Sequence, residues 1–234
     1  MTHYIQSYYD GTLFEYSKSP QEGFVEHTNS KGKVSYRKYY RQGVEGSLVG
    51  VETRVNQYLN NREEVIFTLS NAGDEYKVTF PVLNNDGTQL DDFTESIVRH
   101  LPALQKGATY SINNWRMNKG DMVNGEKVLY NNSGVSFKQG GEKVAAVLGY
   151  NTDNNPNGEI PRIEWKELAG KNRPTAASKE RKLEFLYTTL LEQVKRLSSG
   201  GGGGGAPAQT YGNMPGPTTP EQAFINDEDD DLPF

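Results

Sequence analysis

Two neighbouring segments of the chain, residues 64–70 and 75–82, alternate apolar and polar side chains along most of their length. The four residues between them, 71–74, read Asn-Ala-Gly-Asp. A period of two places successive side chains on opposite faces of a strand, and Asn, Gly and Asp are typical of tight turns. The pattern therefore predicts a β-hairpin.

Further segments of the same kind lie on both sides of this hairpin. Turn sequences such as Asn-Lys-Gly-Asp and Gln-Gly-Gly-Glu separate the later ones. The additional strand candidates are residues 34–41, 47–55, 109–117, 127–130, 135–138 and 143–148. Together with the hairpin they predict about eight short strands and a mainly β protein with helices, of the α+β class.

One helical segment lies between the hairpin and the later strands. Its apolar residues recur every three or four positions, which places them on one face of a helix. They are Leu90, Phe93, Ile97, Val98 and Leu101, and Pro102 marks the end of the segment. The predicted order of strands, one helix and further strands is that of a small Greek-key barrel such as the oligonucleotide-binding (OB) barrel. A β-sandwich would have nearly the same periodicity of apolar residues.

A longer helix is predicted over about 175–197. Its apolar stripe consists of Leu183, Leu186, Tyr187, Leu190, Leu191, Val194 and Leu197. Lys195 and Arg196 lie in its last turn, where cations complement the helix dipole, and Gly200 follows. The stripe must be buried, either against the β body or in self-association with a second copy of the chain.

The charge of the chain is divided unevenly along its length. The 234 residues carry 25 basic and 30 acidic side chains, a net charge of −5, but six acidic residues and no basic ones follow Ser199. Residues 1–199 therefore hold 24 acidic and 25 basic side chains, a net charge of +1. A body of this charge would bind nucleic acid in a local groove rather than on a wholly basic face.

Residues 199–220 have the composition of a linker. Six consecutive glycines are followed by a segment rich in Pro, Thr and Gly. Such a segment buries too little apolar surface to offset the entropy of ordering it. The predicted organisation is a folded body over 1–198, a flexible linker over 199–220 and an acidic, disordered tip over 221–234.

The end of the tip combines a run of carboxylates with an apolar dipeptide. Its residues are Asp229, Asp230, Asp231, Leu232, Pro233 and Phe234. The aspartates suit a basic rim, the Phe234 ring suits an apolar pocket, and the terminal carboxylate can pair with an arginine. Pro233 keeps the segment extended. We expect these residues to bind other proteins.

Residues 229–234 closely resemble the acidic C-terminal peptide of bacterial single-stranded DNA-binding proteins, which typically reads Asp-Asp-Asp-(Ile/Leu)-Pro-Phe. The resemblance implies an OB barrel that holds single-stranded DNA (ssDNA) without sequence specificity. It also implies a tip that recruits replication, recombination and repair proteins. The long helix at 175–197 and the long body depart from that family, so its tetrameric assembly is not implied, and the departure favours a divergent, phage-encoded relative.

Residues 31–41, Lys-Gly-Lys-Val-Ser-Tyr-Arg-Lys-Tyr-Tyr-Arg, place aromatic rings beside cations in one predicted strand. One face of that strand receives Tyr36, Lys38 and Tyr40, and the other receives Arg37, Tyr39 and Arg41. Bases stack on aromatic rings while Lys and Arg neutralise phosphates, so either exposed face suits ssDNA. The tyrosines of the other face are expected in the core.

Two later strands carry similar pairs of an aromatic ring and a cation. Trp115 and Arg116 are candidates on strand 109–117, where alternation predicts opposite faces, with Trp115 either in the core or stacking on a base. Phe137 and Lys138 are candidates on strand 135–138. Trp165, just before the long helix, is predicted to pack in the interior.

The sequence offers no sign of catalysis. It has no cysteine and three scattered histidines, and it lacks phosphate-binding, nucleophile and deaminase motifs, so neither an enzyme nor a metal or other cofactor is expected. No apolar run approaches the roughly 20 residues of a membrane span, and the first ten residues lack signal-peptide features. A soluble cytoplasmic protein is predicted, in the host cytoplasm if phage-encoded.

The predicted function is therefore ssDNA binding and protection with recruitment of partner enzymes. The preference for DNA over RNA rests on the tip alone, because stacking and phosphate contacts serve both polymers. The alternative is a β-rich adaptor that binds proteins rather than nucleic acid and recruits further ones through its acidic tail.

Overall fold

The computed structural model describes residues 1–198 apart from Ser30, Tyr58, Asn60, Asn124 and Ala169, so the predicted linker and tip lie outside the described residues. The strands are β1 Thr2–Ser7, β2 Leu13–Ser17, β3 Val25–Thr28, β4 Val34–Tyr39, β5 Val44–Asn56, β6 Arg62–Asn71, β7 Asp74–Pro81, β8 Thr109–Met117, β9 Met122–Val123, β10 Glu126–Lys127, β11 Asn132–Gln139, β12 Glu142–Lys143, β13 Trp165–Leu168 and β14 Lys171–Pro174. The helices are α1 Asp92–His100 and α2 Ala176–Ser198, with a 3-10 turn at Leu101–Ala103. The predicted class, mainly β with few helices, is confirmed.

Ten of these strands form one sheet, in the order β12-β11-β8-β5-β6-β7-β1-β2-β4-β3. Neighbouring strands are antiparallel except β1 and β7, which run parallel. β12 and β3 are the two ends of the sheet and do not pair with each other. The sheet is therefore not closed into a barrel, and the predicted OB barrel is not confirmed.

The predicted hairpin is confirmed as β6 and β7. Its two-residue turn, Ala72 and Gly73, has φ angles of 51° and 91°. Positive φ at both central positions is the requirement of the type I′ turn that matches the twist of a hairpin. Gly73 meets this requirement at no steric cost, and the tight turn fixes the register of the two strands.

Two of the other strand predictions are only partly correct. The segments 127–130 and 143–148 contribute just one residue each to strands, at the ends of β10 and β12. In the second segment, the backbone N–H groups of Val147 and Leu148 donate to the carbonyl of Arg99. This segment thus satisfies a free carbonyl at the end of α1 instead of extending the sheet.

Helix α1 is placed as the sequence predicted. Asp91 caps it by accepting a hydrogen bond from the backbone N–H of Phe93 at 2.9 Å. The predicted apolar face is buried in full, since Leu90, Phe93, Ile97, Val98 and Leu101 all belong to the hydrophobic core. Helix α1 thereby packs against β11 and β7.

Helix α2 confirms the predicted C-terminal helix and packs on β5 and α1. Four residues of its stripe are buried in the core: Leu186, Leu190, Val194 and Leu197. Arg196 fixes its end, because Nη1 and Nη2 donate to the carbonyls of Leu104 and Leu101 at 3.0 and 2.6 Å. The stripe is thus covered by the body, while Leu191 stays exposed; self-association remains a prediction.

The sheet curls so that strands far apart in its order come into contact. β5, β6 and β7 lie between β8 and β1, yet Asn114 Nδ2 of β8 donates to Ser7 Oγ and to the carbonyl of Thr12, both at 3.0 Å. Gly11, with φ of +85°, lies so close to β8 that a Cβ atom there would be 2.6 Å from the backbone nitrogen of Arg116. The β1–β2 turn is therefore held on β8.

No helix of the described residues is both long and apolar enough to cross a membrane.

Candidate nucleic-acid interface

β4 presents two faces, as its alternation predicted. Tyr39 and Arg37 are paired in register with Phe14 and Tyr16 of β2. Tyr36 and Lys38 therefore point to the opposite side of the sheet. Because β4 ends at Tyr39, the candidates Tyr40 and Arg41 lie just beyond the strand.

The Tyr39 side of β4 belongs to a continuous outward face of the sheet. Lys77 and Thr79 of β7 are the cross-strand partners of Tyr4 and Gln6 of β1, and Gln6 is the partner of Phe14 of β2. The residues between them on these strands, such as Ile5 and Val78, point inward and are fully buried. The side of the sheet that points outward on β7 and β1 thus continues to β2 and β4, where Phe14 and Arg37 on the same side are buried and Tyr39 is partly exposed.

An aromatic cluster, which we define as Tyr8, Tyr9, Phe14, Arg37 and Tyr39, lies at one end of this outward face. The Arg37 guanidinium lies 4.7 Å from the ring centre of Phe14 and 5.6 Å from that of Tyr8. Ring centres are 4.3 Å apart for Tyr8 and Tyr9, 5.9 Å for Tyr8 and Phe14, and 6.3 Å for Phe14 and Tyr39. Burial raises the pKa of Tyr8 far above its usual value, so its hydroxyl stays neutral.

Exposure differs sharply within the aromatic cluster. Tyr9 is 46% exposed and Tyr39 is partly exposed, whereas Arg37 is only 6% exposed. A guanidinium stacked on rings at that depth supports the rings more than it presents charge to solvent. Arg37, predicted as a phosphate contact, is therefore better described as the cation that orders the aromatic cluster.

Arg116 joins the aromatic cluster from β8. Its Nη1 donates to the carbonyl of Tyr9 at 2.7 Å, and its Nε donates to Asn118 Oδ1 at 3.2 Å. Two groups of residues that were predicted from separate parts of the sequence, β4 and β8, are thus brought together by the Tyr8–Tyr9 turn. The result is an arginine beside exposed rings, which is the combination that ssDNA requires.

The opposite face of β4 is engaged in a polar network. Tyr40 Oη donates to Glu15 at 2.9 Å, and His3 Nδ1 lies 3.0 Å from the same carboxylate. The Lys38 ammonium lies 5.4 Å from the Tyr40 ring centre. Burial and the neighbouring Glu15 carboxylate raise the pKa of Tyr40 well above its usual value. These contacts make Lys38 and Tyr40 less available than Tyr39 to a ligand on the sheet.

The candidates on β11 are separated from the aromatic cluster. Phe137 is fully buried against Phe67 and His100, with ring centres 5.6 Å away in each case, because the inward residues of β11 belong to the core. A base cannot stack on a ring in that position, so the prediction for Phe137 is wrong. Lys138 is exposed and is paired with Lys143 at an edge of the sheet.

The interior position is wrong for both tryptophans, although for Trp115 it was one of two alternatives. Trp115 is half-buried on the face opposite Ile112 and Asn114, so it is not a core residue. Its ring packs on Gly134, where a Cβ atom would lie 2.9 Å from it. Trp165 was predicted to pack in the interior but is 62% exposed on β13, because every residue of that strand is exposed.

The sequence reasoning missed the N-terminal part of the site and two arginines. Tyr8 and Tyr9 precede Asp-Gly in the sequence, and an aromatic pair next to a turn is a signal that could have indicated them. Arg54 and Arg62 flank the buried carboxylate of Glu64, at 3.1 and 3.7 Å. Only the fold brings these two cations to the same end of β5 and β6.

Among the described residues, no group of three or more His, Asp or Glu side chains is placed to hold a metal ion. Comparisons with protein-family models, curated proteins and solved structures found nothing that matches this chain.

Proposed function

We propose that the protein binds and protects ssDNA and recruits partner enzymes through its C-terminal tip. The proposal that it binds ssDNA rests on one observation, that residues of β4 and β8 contact the same Tyr8–Tyr9 turn. There, exposed rings and the Arg116 guanidinium lie side by side. Rings stack on any base and a guanidinium neutralises phosphate, so the site favours single strands without sequence specificity.

We further propose that β5, β6, β7, β8 and β11 form an OB-type unit. These five strands neighbour one another in the order β11-β8-β5-β6-β7, and α1 is inserted between β7 and β8. OB folds are partly open Greek-key barrels of five strands that bind oligonucleotides on the face of their second and third strands and on nearby loops. In this unit β1 occupies the free edge of β7 and extends that face towards the aromatic cluster.

The two binding loops of an OB-type unit fall near cations and exposed apolar residues. Arg54 and Arg62 lie on the two strands that the first loop connects. The loop between β8 and β11 begins next to Arg116 and carries the exposed side chains of Leu129 and Tyr130. The second loop thus favours a path for ssDNA that includes the aromatic cluster, and the first offers cations for phosphate contacts.

The recruitment half of the proposal rests on the sequence, since residues 221–234 lie outside the described part of the chain. The likeness of Asp229–Phe234 to the tip of bacterial single-stranded DNA-binding proteins supports it. Replication, recombination and repair proteins are the partners this likeness implies, and the cytoplasm is the compartment where they and ssDNA meet. The same likeness is the reason for proposing DNA rather than RNA.

Fluorescence-detected titration with an unstructured oligonucleotide at two salt concentrations tests the proposal. We expect binding to the single strand that weakens as salt rises, and much weaker binding to a duplex of the same sequence. A folded protein that binds neither at low salt would contradict the proposal and favour the adaptor function.

A further inference from the structure

A cavity of about 290 Å³ lies on the helical side of the body, away from the aromatic cluster. The start of α1, the first half of α2 and the β13–β14 hairpin enclose it. Its apolar wall includes Leu90, Leu183, Leu186, Pro174 and the exposed indole of Trp165. The volume lies at the lower limit of small-molecule pockets and suits one or two apolar side chains.

The charged groups of the cavity are mainly basic. Lys179 and Lys182 of α2 line it together with the carboxylate of Glu95. Lys182 and Glu95 form an ion pair, because Lys182 Nζ lies 2.6 Å from Glu95 Oε1, and Tyr150 Oη donates to the same oxygen at 2.5 Å. Lys179 therefore supplies the remaining positive charge of the lining. An apolar cavity with Lys179 in its lining is complementary to an apolar side chain that carries negative charge beside it.

The C-terminal tip of this chain has that chemistry. Phe234 combines an aromatic ring with the terminal carboxylate, and Asp229, Asp230 and Asp231 precede it by a few residues. The tip can also reach the cavity. Ser198 ends α2 sixteen residues after Lys182, an axial distance of about 24 Å at 1.5 Å per residue. A flexible coil as long as the 22 residues 199–220 spans about 25 Å on average.

We infer that the tip docks in cis into this cavity, with the Phe234 ring against Trp165 and the leucines and with its carboxylates beside Lys179. The docked tip is unavailable to partner proteins, which must compete with the cavity for Phe234. The cavity therefore regulates the recruitment that forms the second half of the proposed function, and the inference rests on that half.

Trp165 provides the readout, because its indole forms part of the wall. We compare acrylamide quenching of tryptophan emission in the full chain and in a full chain that lacks only Phe234. The intact chain should be quenched about twofold less at this tryptophan, and a Trp165→Phe chain identifies its share of the signal beside Trp115. Adding a peptide of residues 226–234 to the chain that lacks Phe234 should restore the protection.

Two lysine variants change the net charge by the same amount, and their comparison controls for general electrostatic effects. Lys179→Glu, in the cavity wall, should weaken binding of the 226–234 peptide about tenfold or more. Lys166→Glu should leave it unchanged, because Lys166 follows Trp165 on β13 and points to the other side of that hairpin.

Equal quenching of the two chains, or a peptide that binds without protecting Trp165, would overturn the inference. Protection that is lost on dilution would show that a second copy supplies the tip, which also contradicts docking in cis. The proposed function is judged separately, since ssDNA titration and partner capture can succeed in a chain whose Trp165 shows no protection.

Discussion

Asn114 and Ser7 are joined by a hydrogen bond of 3.0 Å although three strands separate them in the sheet. Asn114 also donates to the carbonyl of Thr12, so one buried amide links β8 to both sides of the β1–β2 turn. The turn carries Tyr8 and Tyr9, and β8 carries Arg116. This contact therefore assembles the proposed ssDNA site without a closed hydrogen-bonded barrel.

Replacing Asn114 with Ala should lower the free energy of unfolding by about 1–3 kcal/mol, because it removes two partly buried hydrogen bonds that hold the turn on β8. It should also weaken ssDNA binding, since Tyr9 and Arg116 lose their relative position. Asn113→Ala is the matched control, because Asn113 lies on the other face of β8. Urea denaturation and oligonucleotide titration measure the two effects, and equal results for the two variants would contradict the role of Asn114.

The two faces of β4 can be distinguished by one tyrosine on each. Tyr39→Ala should weaken ssDNA binding by about 1–3 kcal/mol with little change in salt dependence, because it removes stacking and no charge. Tyr36→Ala, on the opposite face, should bind as the unmodified chain does. Titration of both variants with the same oligonucleotide decides the matter, and a larger loss for Tyr36→Ala would place the site on the other face.

The cation of the site can be tested through the salt dependence of binding. Arg116→Ala should reduce the slope of log affinity against log salt by about 0.7, the value for one phosphate of a single strand. Lys138→Ala removes the same charge at the distant edge formed by β11 and β12, and its slope should stay unchanged. A reduced slope for Lys138→Ala would mean that ssDNA extends across β11.

The strongest periodic segments were predictable because local pattern determines them. The β6–β7 hairpin combines alternation over most of its length with a turn that needs positive φ, and α1 combines a cap at Asp91 with five apolar residues on one face. Strands β3, β13 and β14 were not predicted, because β13 is exposed throughout and β3 and β14 nearly so. A strand without a buried face lacks the alternation from which strands are recognised.

The candidate site was predictable only in part, because sequence gives the faces of a strand but not which face is covered. Phe137 and Tyr39 both stand next to a lysine in the sequence, yet α1 and the core cover the first and leave the second accessible. The approach of Tyr9 to Arg116 joins residues 107 positions apart. Such a contact depends on the curl of the whole sheet, which no local pattern encodes.

Asp91 should make the stability of the protein depend on pH. Burial raises the pKa of Asp91 to about 6 from 3.8, so the folded state holds a proton that the unfolded state has already released. The contribution of protonated Asp91 to the free energy of unfolding is therefore present near pH 4 and is lost as the pH rises through 6. Asp91→Asn keeps an oxygen to cap Phe93 and should be more stable at pH 7 by about 2 kcal/mol.

The difference between Asp91→Asn and the unmodified chain should disappear at pH 4, where Asp91 is protonated in the folded state. Glu184→Gln, an exposed residue of α2, is the control for loss of one negative charge and should show no such trend. Urea denaturation between pH 4 and 8 gives both curves. A stability difference that does not change over this range would show that burial does not destabilise the charged form of the Asp91 carboxylate.

Phe234 should separate recruitment from ssDNA binding. Deleting it moves the terminal carboxylate to Pro233 and removes the ring at the end, while all six acidic residues after Ser199 remain. Affinity for partner proteins should fall by roughly 2 kcal/mol or more, because an aromatic residue in a desolvated pocket carries much of the binding energy. Affinity for ssDNA should hardly change, because the charge and length of the tail hardly change.

Capture from host extract by the intact chain and by the chain lacking Phe234, beside an oligonucleotide titration of both, measures the two effects. Phe224→Ala is the matched control, since it removes an aromatic ring from the tail but leaves the end intact. Helicases, nucleases or recombination proteins should be captured by the intact chain and by Phe224→Ala, and lost without Phe234. If all three chains capture the same replication and repair proteins equally, the tip is only a solvated acidic tail, and recruitment does not depend on its terminal phenylalanine.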